Sequence, residues 1–186
     1  MPVIISANDF EQAVEIVKRA AYATNGWQEI IDYSESRIGF QLKQLDINDI
    51  TVAVRDAASA LKGLWQTEPY PPNLKFFYFG LFDLALPSDK SVYAGYSISG
   101  GYEWSASDPD TLCDLPYFPE GRLIRSRFLD SIKTARTSRS DVDEFIGYLM
   151  FWSAAALLSK FALRQLGISK QCVVGFDSGD FAVVFE

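Results

Sequence analysis

The sequence contains no histidine among its 186 residues. Histidine is the side chain whose unperturbed pKa lies near neutrality, and it activates the nucleophile in Ser-His-Asp and Cys-His sites. It also supplies the zinc ligands of the H-E-x-x-H motif. These reaction classes are therefore excluded, and any catalysis would depend on carboxylates, lysine, tyrosine or cysteine.

Cysteine is almost as scarce, since the chain has only Cys113 and Cys172. They form no C-x-x-C pair, so the sequence predicts neither a disulfide framework nor a zinc site. Free thiols are typical of a reducing compartment. Residues 1–5 are apolar, but no basic residue precedes them and acidic residues follow, so we expect a cytoplasmic protein without a secretory signal.

Cofactor motifs are absent as well. The chain has neither the G-x-G-x-x-G nor the G-x-x-x-x-G-K-S/T pattern, in which backbone amides hold nucleotide phosphates. Asp108, Asp110 and Asp114 could together offer oxygen ligands to calcium, but their spacing matches no EF-hand, and turn or capping roles explain them better. We therefore predict no cofactor, no metal site and no catalytic residue.

What the sequence does contain is an ordinary globular composition with an acidic balance. Hydrophobic residues make up 48%, aromatic residues 15% and charged residues 22% of the chain. We expect one globular domain over residues 1–186. The formal net charge of −7 disfavours nucleic acid and anionic membranes as partners and favours a protein with a basic surface.

Apolar periodicity predicts an α+β fold. Helices are expected where apolar residues recur every three or four positions, and strands where they alternate or form short runs between turn residues. The expected helices span residues 8–24, 46–65, 126–135 and 138–166. The expected strands span residues 27–33, 38–45, 74–86, 91–104, 171–176 and 181–185. We predict an antiparallel sheet of about five or six strands packed by about four helices.

The last expected helix is predicted to be long and buried. Residues 145–158 form a stretch of fourteen residues without a charge, whereas a transmembrane helix needs about 20 apolar residues. Acidic residues precede this stretch and basic residues follow it, which suits the helix dipole. A central helix in the core is therefore favoured over a membrane segment.

Charge is distributed unevenly along the chain. Between Lys90 and Arg122 there are five acidic residues and no basic one, whereas residues 122–139 carry six basic residues against Asp130 alone. The two segments could pair with each other, be solvated separately, or bind a ligand or partner of matching charge. Together with nearby aromatics they form the predicted partner or ligand surface: Trp104, Asp108, Asp110, Asp114, Tyr117, Phe118, Arg122, Arg125 and Arg127.

Two functions are compatible with this surface. A small acidic domain with aromatic and acidic surface residues is similar in general properties to bacterial toxin-neutralising immunity proteins, so our leading hypothesis is a non-enzymatic protein-binding module. The alternative is a small-ligand-binding domain or a carboxylate-based enzyme with a pocket near residues 105–127. A binding module would expose its carboxylates and aromatics, whereas an enzyme would bury titratable groups in a cleft.

Overall fold

The fold combines five helices with a five-stranded sheet in the described part of the chain. The computed structural model describes residues 4–39, 41–42, 46–85, 92–104, 112, 115–135, 139–176 and 180–185. The helices are α1 (Ala7–Arg19), α2 (Ala23–Ile38), α3 (Asp49–Thr67), α4 (Arg127–Thr134) and α5 (Ser140–Gln165). The strands are β1 (Phe76–Ala85), β2 (Val92–Gly101), β3 (Leu123–Arg125), β4 (Gln171–Phe176) and β5 (Phe181–Phe185). The predicted α+β class is confirmed.

The first two helices replace one predicted helix and one predicted hairpin. A capping box starts α1, in which the Ser6 hydroxyl accepts a hydrogen bond from the Asp9 amide and the Asp9 carboxylate accepts one from the Ser6 amide. This helix ends at Arg19, not near residue 24. The predicted strand 27–33 and the residues that follow it up to Ile38 belong to α2, so the hairpin prediction was wrong. Residues 40 and 43–45 of the predicted strand 38–45 lie outside the described residues.

The spacing of buried residues explains why this segment is helical. Trp27, Ile30, Ile31 and Ile38 lie on the buried side of α2, and their packing outweighs the β propensity of the individual residues. Gly26 lies within the first turns of the helix, where a Cβ atom would be 2.7 Å from Leu157 Cδ2. This glycine therefore permits close packing of α2 on α5 and does not end a helix.

The sheet is mixed, which corrects the prediction of an antiparallel sheet. Its order is β3-β2-β1-β4-β5, and β1 pairs with β4 in parallel while the other neighbours are antiparallel. The two local pairs, β1 with β2 and β4 with β5, are antiparallel, as their sequence patterns indicate. The helices α4 and α5 lie between β3 and β4 in the chain. Parallel strands need a long connection of this kind, and it allows β4 to run beside β1 in the same direction.

The central strand β1 is covered on both faces. Phe77 and Phe79 are buried in the main core below the helices, whereas Phe76 and Tyr78 pack with Val173 on the opposite face. A strand that is apolar at both odd and even positions is typical of this location. The burial of both faces therefore explains the apolar pattern of β1.

The long helix α5 is buried, as predicted. It contains a π-helical turn, Ile146–Met150, between two α-helical parts. Its length and composition would allow it to cross a membrane, but 83% of its most apolar window is buried inside the protein. It contacts α1, α2, α3 and the sheet, and so forms the centre of the helix layer.

A short edge strand and a short helix complete the other side of the sheet. β3 was not predicted; it pairs with β2, placing Ile124 opposite Tyr96. α4 follows directly, and the Ser126 hydroxyl caps it by accepting a hydrogen bond from the Leu129 amide at 3.3 Å. This arrangement places Arg125 and Arg127 on either side of the residue that caps the helix.

Candidate functional site

The structure separates the residues of the predicted partner surface. Asp108, Asp110 and Asp114 lie outside the described residues. Trp104 is half-buried and packs against Phe181 on the sheet face that the helices do not cover. Trp104 therefore belongs to the packing of this face of the sheet.

Tyr117 is part of the core and not of the surface. Its ring packs edge-on against Phe77, with the centroids 6.3 Å apart, and its hydroxyl donates to the Glu68 carbonyl oxygen at 3.1 Å. Burial raises the pKa of Tyr117 to about 12. This residue anchors the segment that follows it.

Three residues of the predicted partner surface, Phe118, Arg122 and Arg125, reach the surface of the protein near one edge of the sheet. We call Phe118, Arg122, Leu123 and Arg125 the edge surface. Phe118 is 61% exposed and Leu123 is 57% exposed. The Arg122 guanidinium carbon lies 4.0 Å from the Phe118 ring centroid, a cation–π contact. The edge surface thus presents two large apolar side chains next to a stacked arginine.

The turn that carries the edge surface is fixed by Glu68 at the end of α3. The two oxygens of its carboxylate accept hydrogen bonds from the Glu120 amide at 2.6 Å and the Gly121 amide at 2.8 Å. The backbone of Tyr117 also exchanges two hydrogen bonds with Gly100 of β2. These contacts hold the backbone around Phe118 in one conformation.

Arg125 is tied to the first turn of α4. Its Nε donates to Asp130 Oδ2 at 2.8 Å, and its guanidinium carbon lies 3.8 Å from the Tyr93 ring centroid. The other Asp130 oxygen accepts from the Ala94 amide of β2 at 2.5 Å. Asp130 thus joins β2, β3 and α4.

Between α3 and the β3–α4 segment lies a groove of about 500 Å³. This size falls in the range of small-ligand sites. It is lined by Asp49, Val52, Ala53, Asp56, Ala57, Ala60, Tyr96, Ile124, Arg125, Ser126, Arg127, Phe128 and Ser131. Two residues of the predicted surface, Arg125 and Arg127, therefore line this groove.

The sequence of α3 explains why there is open space at this place. Its lining residues follow helical spacing, and three of them, Ala53, Ala57 and Ala60, have the smallest side chain that still favours a helix. Larger apolar residues at these positions would fill the space towards α4. Asp49 and Asp56, seven residues apart, lie on the same side of the helix and form the acidic wall.

Of the four charged residues that line the groove, three lack protein partners within the described residues, and the fourth, Arg125, is paired with Asp130. Asp49 and Asp56 are exposed on the α3 wall, and Arg127 is exposed on the α4 wall. Within the described residues these three side chains make no hydrogen bond or ion pair. The groove therefore has an acidic wall facing a basic one, and neither is neutralised by the fold.

Tyr96 is the most deeply buried residue that lines the groove. Its side chain is 1% exposed, and its hydroxyl has no hydrogen-bond partner among the described residues. Burial raises the pKa of Tyr96 well above its usual range, so the hydroxyl stays protonated. A buried hydroxyl without a partner costs about 1–3 kcal/mol, which a phenylalanine at this position would avoid.

Asp9 is the centre of a separate buried polar cluster between α1 and α2. Its carboxylate accepts from the Tyr33 hydroxyl and Arg37 Nε, both at 2.5 Å, and from the Ser6 hydroxyl at 2.7 Å. Burial alone would raise the pKa of Asp9, but the hydrogen bonds from Arg37, Ser6 and Tyr33 outweigh it and hold the pKa well below the usual range. Burial and the bond to Asp9 raise the pKa of Tyr33 to about 12.

Lys160 is a buried cation in the middle of the protein. Its Nζ donates to the carbonyl oxygens of Val17, Lys18 and Ala20 at 2.7, 2.7 and 3.0 Å, and so caps the carboxyl end of α1. Burial lowers the pKa of Lys160 to about 8. Burial also raises the pKa of the Cys172 thiol well above its usual range, so this cysteine is unreactive.

The protein pairs the charged groups of its core, whereas most charged groups of the groove are open to a ligand. Asp9 and Lys160 are saturated by protein partners away from the groove. In the described ranges, no cluster of three or more histidine, cysteine, aspartate or glutamate residues could hold a metal ion. The groove combines fixed charges of both signs, which suits the recognition of a charged ligand.

Comparisons of the chain with protein-family models, curated proteins and solved structures returned no match. The function must therefore be argued from the residues themselves.

Sequence reasoning missed Asp49, Asp56 and Tyr96. The spacing of the two aspartates around small residues of α3 was a usable signal, because alanines on one side of a helix next to acidic residues indicate an open polar face. Tyr96 carried no such signal, because aromatic residues in this strand pair are expected in the core. Its relation to the groove depends on how α3 packs over the sheet.

Proposed function

We propose that the protein is a non-enzymatic protein-binding module that engages its partner through the edge surface. The observation that carries this proposal is the exposure of Phe118 and Leu123 beside Arg122, which stacks on Phe118. Aromatic residues and arginine are enriched among the residues that dominate binding energy at protein interfaces.

The fixed turn below the edge surface supports this proposal. Glu68 and Gly100 hold the backbone on both sides of Phe118 through direct hydrogen bonds. A side chain presented on a preorganised backbone loses less conformational entropy when a partner binds. The side chains of the edge surface are therefore exposed to solvent while the backbone that carries them is held in one conformation.

The net charge indicates the chemistry of the partner. A formal charge of −7 attracts a basic protein over long range and speeds its association, while the apolar contacts determine how long the complex lasts. A toxin neutralised by an immunity-type protein is one partner class with these properties, and it is the class that we propose.

A quantitative capture experiment tests the proposal. The wild type, the variant Phe118→Ala with Leu123→Ala, and a control with Ile4→Ala and Tyr22→Ala would be immobilised in equal amounts. Ile4 and Tyr22 are 72% and 69% exposed and lie outside the edge surface. We expect a basic protein from the source organism to be retained by the wild type and the control, and to be depleted at least tenfold on the edge variant.

Two outcomes would overturn the proposal. One is equal retention of every captured protein by all three baits, and the other is capture of no protein at all. Thermal unfolding of the three baits checks that they are folded, since replacing exposed apolar side chains changes stability by only about 0.5 kcal/mol. Association of the captured protein should slow as salt is raised.

A further inference from the structure

The groove offers two opposed charged walls to any molecule that enters it. Asp49 and Asp56 stand on the α3 wall, and Arg127 stands on the α4 wall. These side chains have no hydrogen-bond or ion-pair partner within the described residues, although Asp49 in the first turn of α3 also suits the helix dipole. A ligand that carries both a positive and a negative group would satisfy both walls at once.

The basic wall has donors beyond the Arg127 guanidinium. In the first turn of α4, the Leu129 amide is bonded to the Ser126 hydroxyl and the Asp130 amide to the Ser126 carbonyl oxygen. In the described part of the chain the Arg127 and Phe128 amides have no acceptor. Free amides at a helix start, together with an arginine, form a site for an anionic oxygen group.

The floor of the groove contains one of the five buried side-chain polar atoms that have no partner among the described residues. Tyr96 lines it, is buried, and has a hydroxyl without a partner. A polar atom brought in by a ligand would satisfy this hydroxyl, which the protein alone leaves unbonded.

We propose that the groove between α3 and α4 binds a small zwitterion. Its anionic group, a carboxylate or a phosphate, binds Arg127 and the first-turn amides of α4. Its protonated amine binds Asp56, and Asp49, about two helical turns away on the same wall, adds to the negative potential there. The chain between the two charged groups of the ligand lies over the alanines of α3. This site shares only Arg125 with the edge surface, and the inference does not depend on the protein-binding function.

The test is a binding series that measures both charges and the distance between them. The probes are the ω-amino acids from glycine to 6-aminohexanoate, phosphoethanolamine, and the half-molecules butyrate and butylamine, each titrated by calorimetry and by ligand-observed NMR. We expect one chain length to bind at least tenfold more tightly than either half-molecule. Comparing the affinity of phosphoethanolamine with that of the ω-amino acids shows whether the site prefers a phosphate or a carboxylate.

Matched variants locate the binding. Arg127→Gln and Asp56→Asn should each weaken the best zwitterion at least tenfold, and Ala60→Leu should abolish binding by filling the groove without removing a charge. Arg55→Gln is the control, because Arg55 is the neighbour of Asp56 on α3 but does not line the groove. It should leave binding unchanged.

Three results would overturn the inference: no probe binds at millimolar concentration, the half-molecules bind as well as the zwitterion, or Arg127→Gln and Asp56→Asn bind like the wild type. All of these variants alter exposed or half-buried side chains, so thermal unfolding will show whether they are folded. A failure here leaves the edge-surface experiment unaffected, because none of these variants changes the edge surface.

Discussion

The buried charges between the helices and the charged groups of the groove differ in how many protein partners they have. Asp9 and Lys160 are buried, and each has three protein partners or more. Tyr96, Arg127 and Asp56 surround open space and lack partners in the described residues. The two buried charges are thus fully paired, whereas three of the four charged residues that line the groove are not. Uncharged buried atoms without a partner also occur elsewhere in the described residues, at Trp27, Ser34, Trp65 and Trp104.

This difference distinguishes polar side chains that stabilise the fold from polar side chains that are available to bind a ligand. A buried charge without partners would cost several kcal/mol, so each buried charge is retained only with its full set of hydrogen bonds. An exposed charge costs almost nothing when it is unpaired. Variants of the buried charges should therefore lose stability. Variants of the groove should lose ligand affinity and keep their stability.

The largest loss of stability is expected for Asp9→Ala. This change removes the acceptor shared by Arg37, Tyr33 and Ser6, and we expect a loss of about 3 kcal/mol in the free energy of unfolding. Arg37 is partly exposed, so the loss falls at the low end for a buried pair. Urea unfolding of both proteins measures it, and a loss below about 1 kcal/mol would show that the cluster is not structural.

The pH dependence of the same variant provides its control. Folding lowers the pKa of Asp9, so the unfolded chain binds more protons in acid. The stabilisation by Asp9 is then present above about pH 4 and is lost as the pH falls further. The stability difference between wild type and Asp9→Ala should therefore shrink from about pH 6 to about pH 3.

A smaller loss is expected for Lys160→Met. The variant leaves three carbonyl oxygens at the end of α1 without a donor, but it also removes the cost of burying a charge, so we expect about 2 kcal/mol near neutrality. Since folding lowers the pKa of Lys160 to about 8, the unfolded chain binds more protons between pH 8 and about 10.4. The wild type should therefore gain stability relative to the variant as the pH rises through this window. A constant difference would contradict the lowered pKa.

The smallest effects are expected in the groove. Arg127→Gln and Asp56→Asn should change the free energy of unfolding by no more than about 0.5 kcal/mol. Tyr96→Phe should leave stability unchanged or raise it by up to about 1 kcal/mol, because the lost hydroxyl makes no hydrogen bond. Thermal unfolding measures all three. A loss above about 1 kcal/mol in any of them would remove the contrast with Asp9 and Lys160.

Local patterns predicted those elements in which apolar residues follow one clear period or flank turn residues. α3, α4, α5 and the two local strand pairs follow from periodicity and turn residues. α2 did not, because its β-favouring residues at helical spacing become helical only through burial against distant elements, as when Trp27 packs on Phe128 of α4. The parallel pairing of β1 with β4 and the pairing of β3 were equally inaccessible, since both depend on distant partners.

The candidate site, too, was predicted from the sequence only in part. The uneven charge of residues 122–139 indicated Arg125 and Arg127, and both line the groove. The opposite wall comes from α3, far away in the sequence, so Asp56 was not connected with them. Tyr117 was predicted as a surface residue because aromatic composition does not reveal which ring is covered by Glu68 and Phe77.

The parallel pairing of β1 with β4 also has a consequence for the synthesis of the chain. Phe76 is paired with Gln171, so at about 5–20 residues per second β1 leaves the ribosome several seconds before its central partner. During this interval one hydrogen-bonding edge of an aromatic strand is uncovered, which is the condition for intermolecular strand pairing. Yield on expression should therefore depend on translation speed and on chaperones that shield nascent chains.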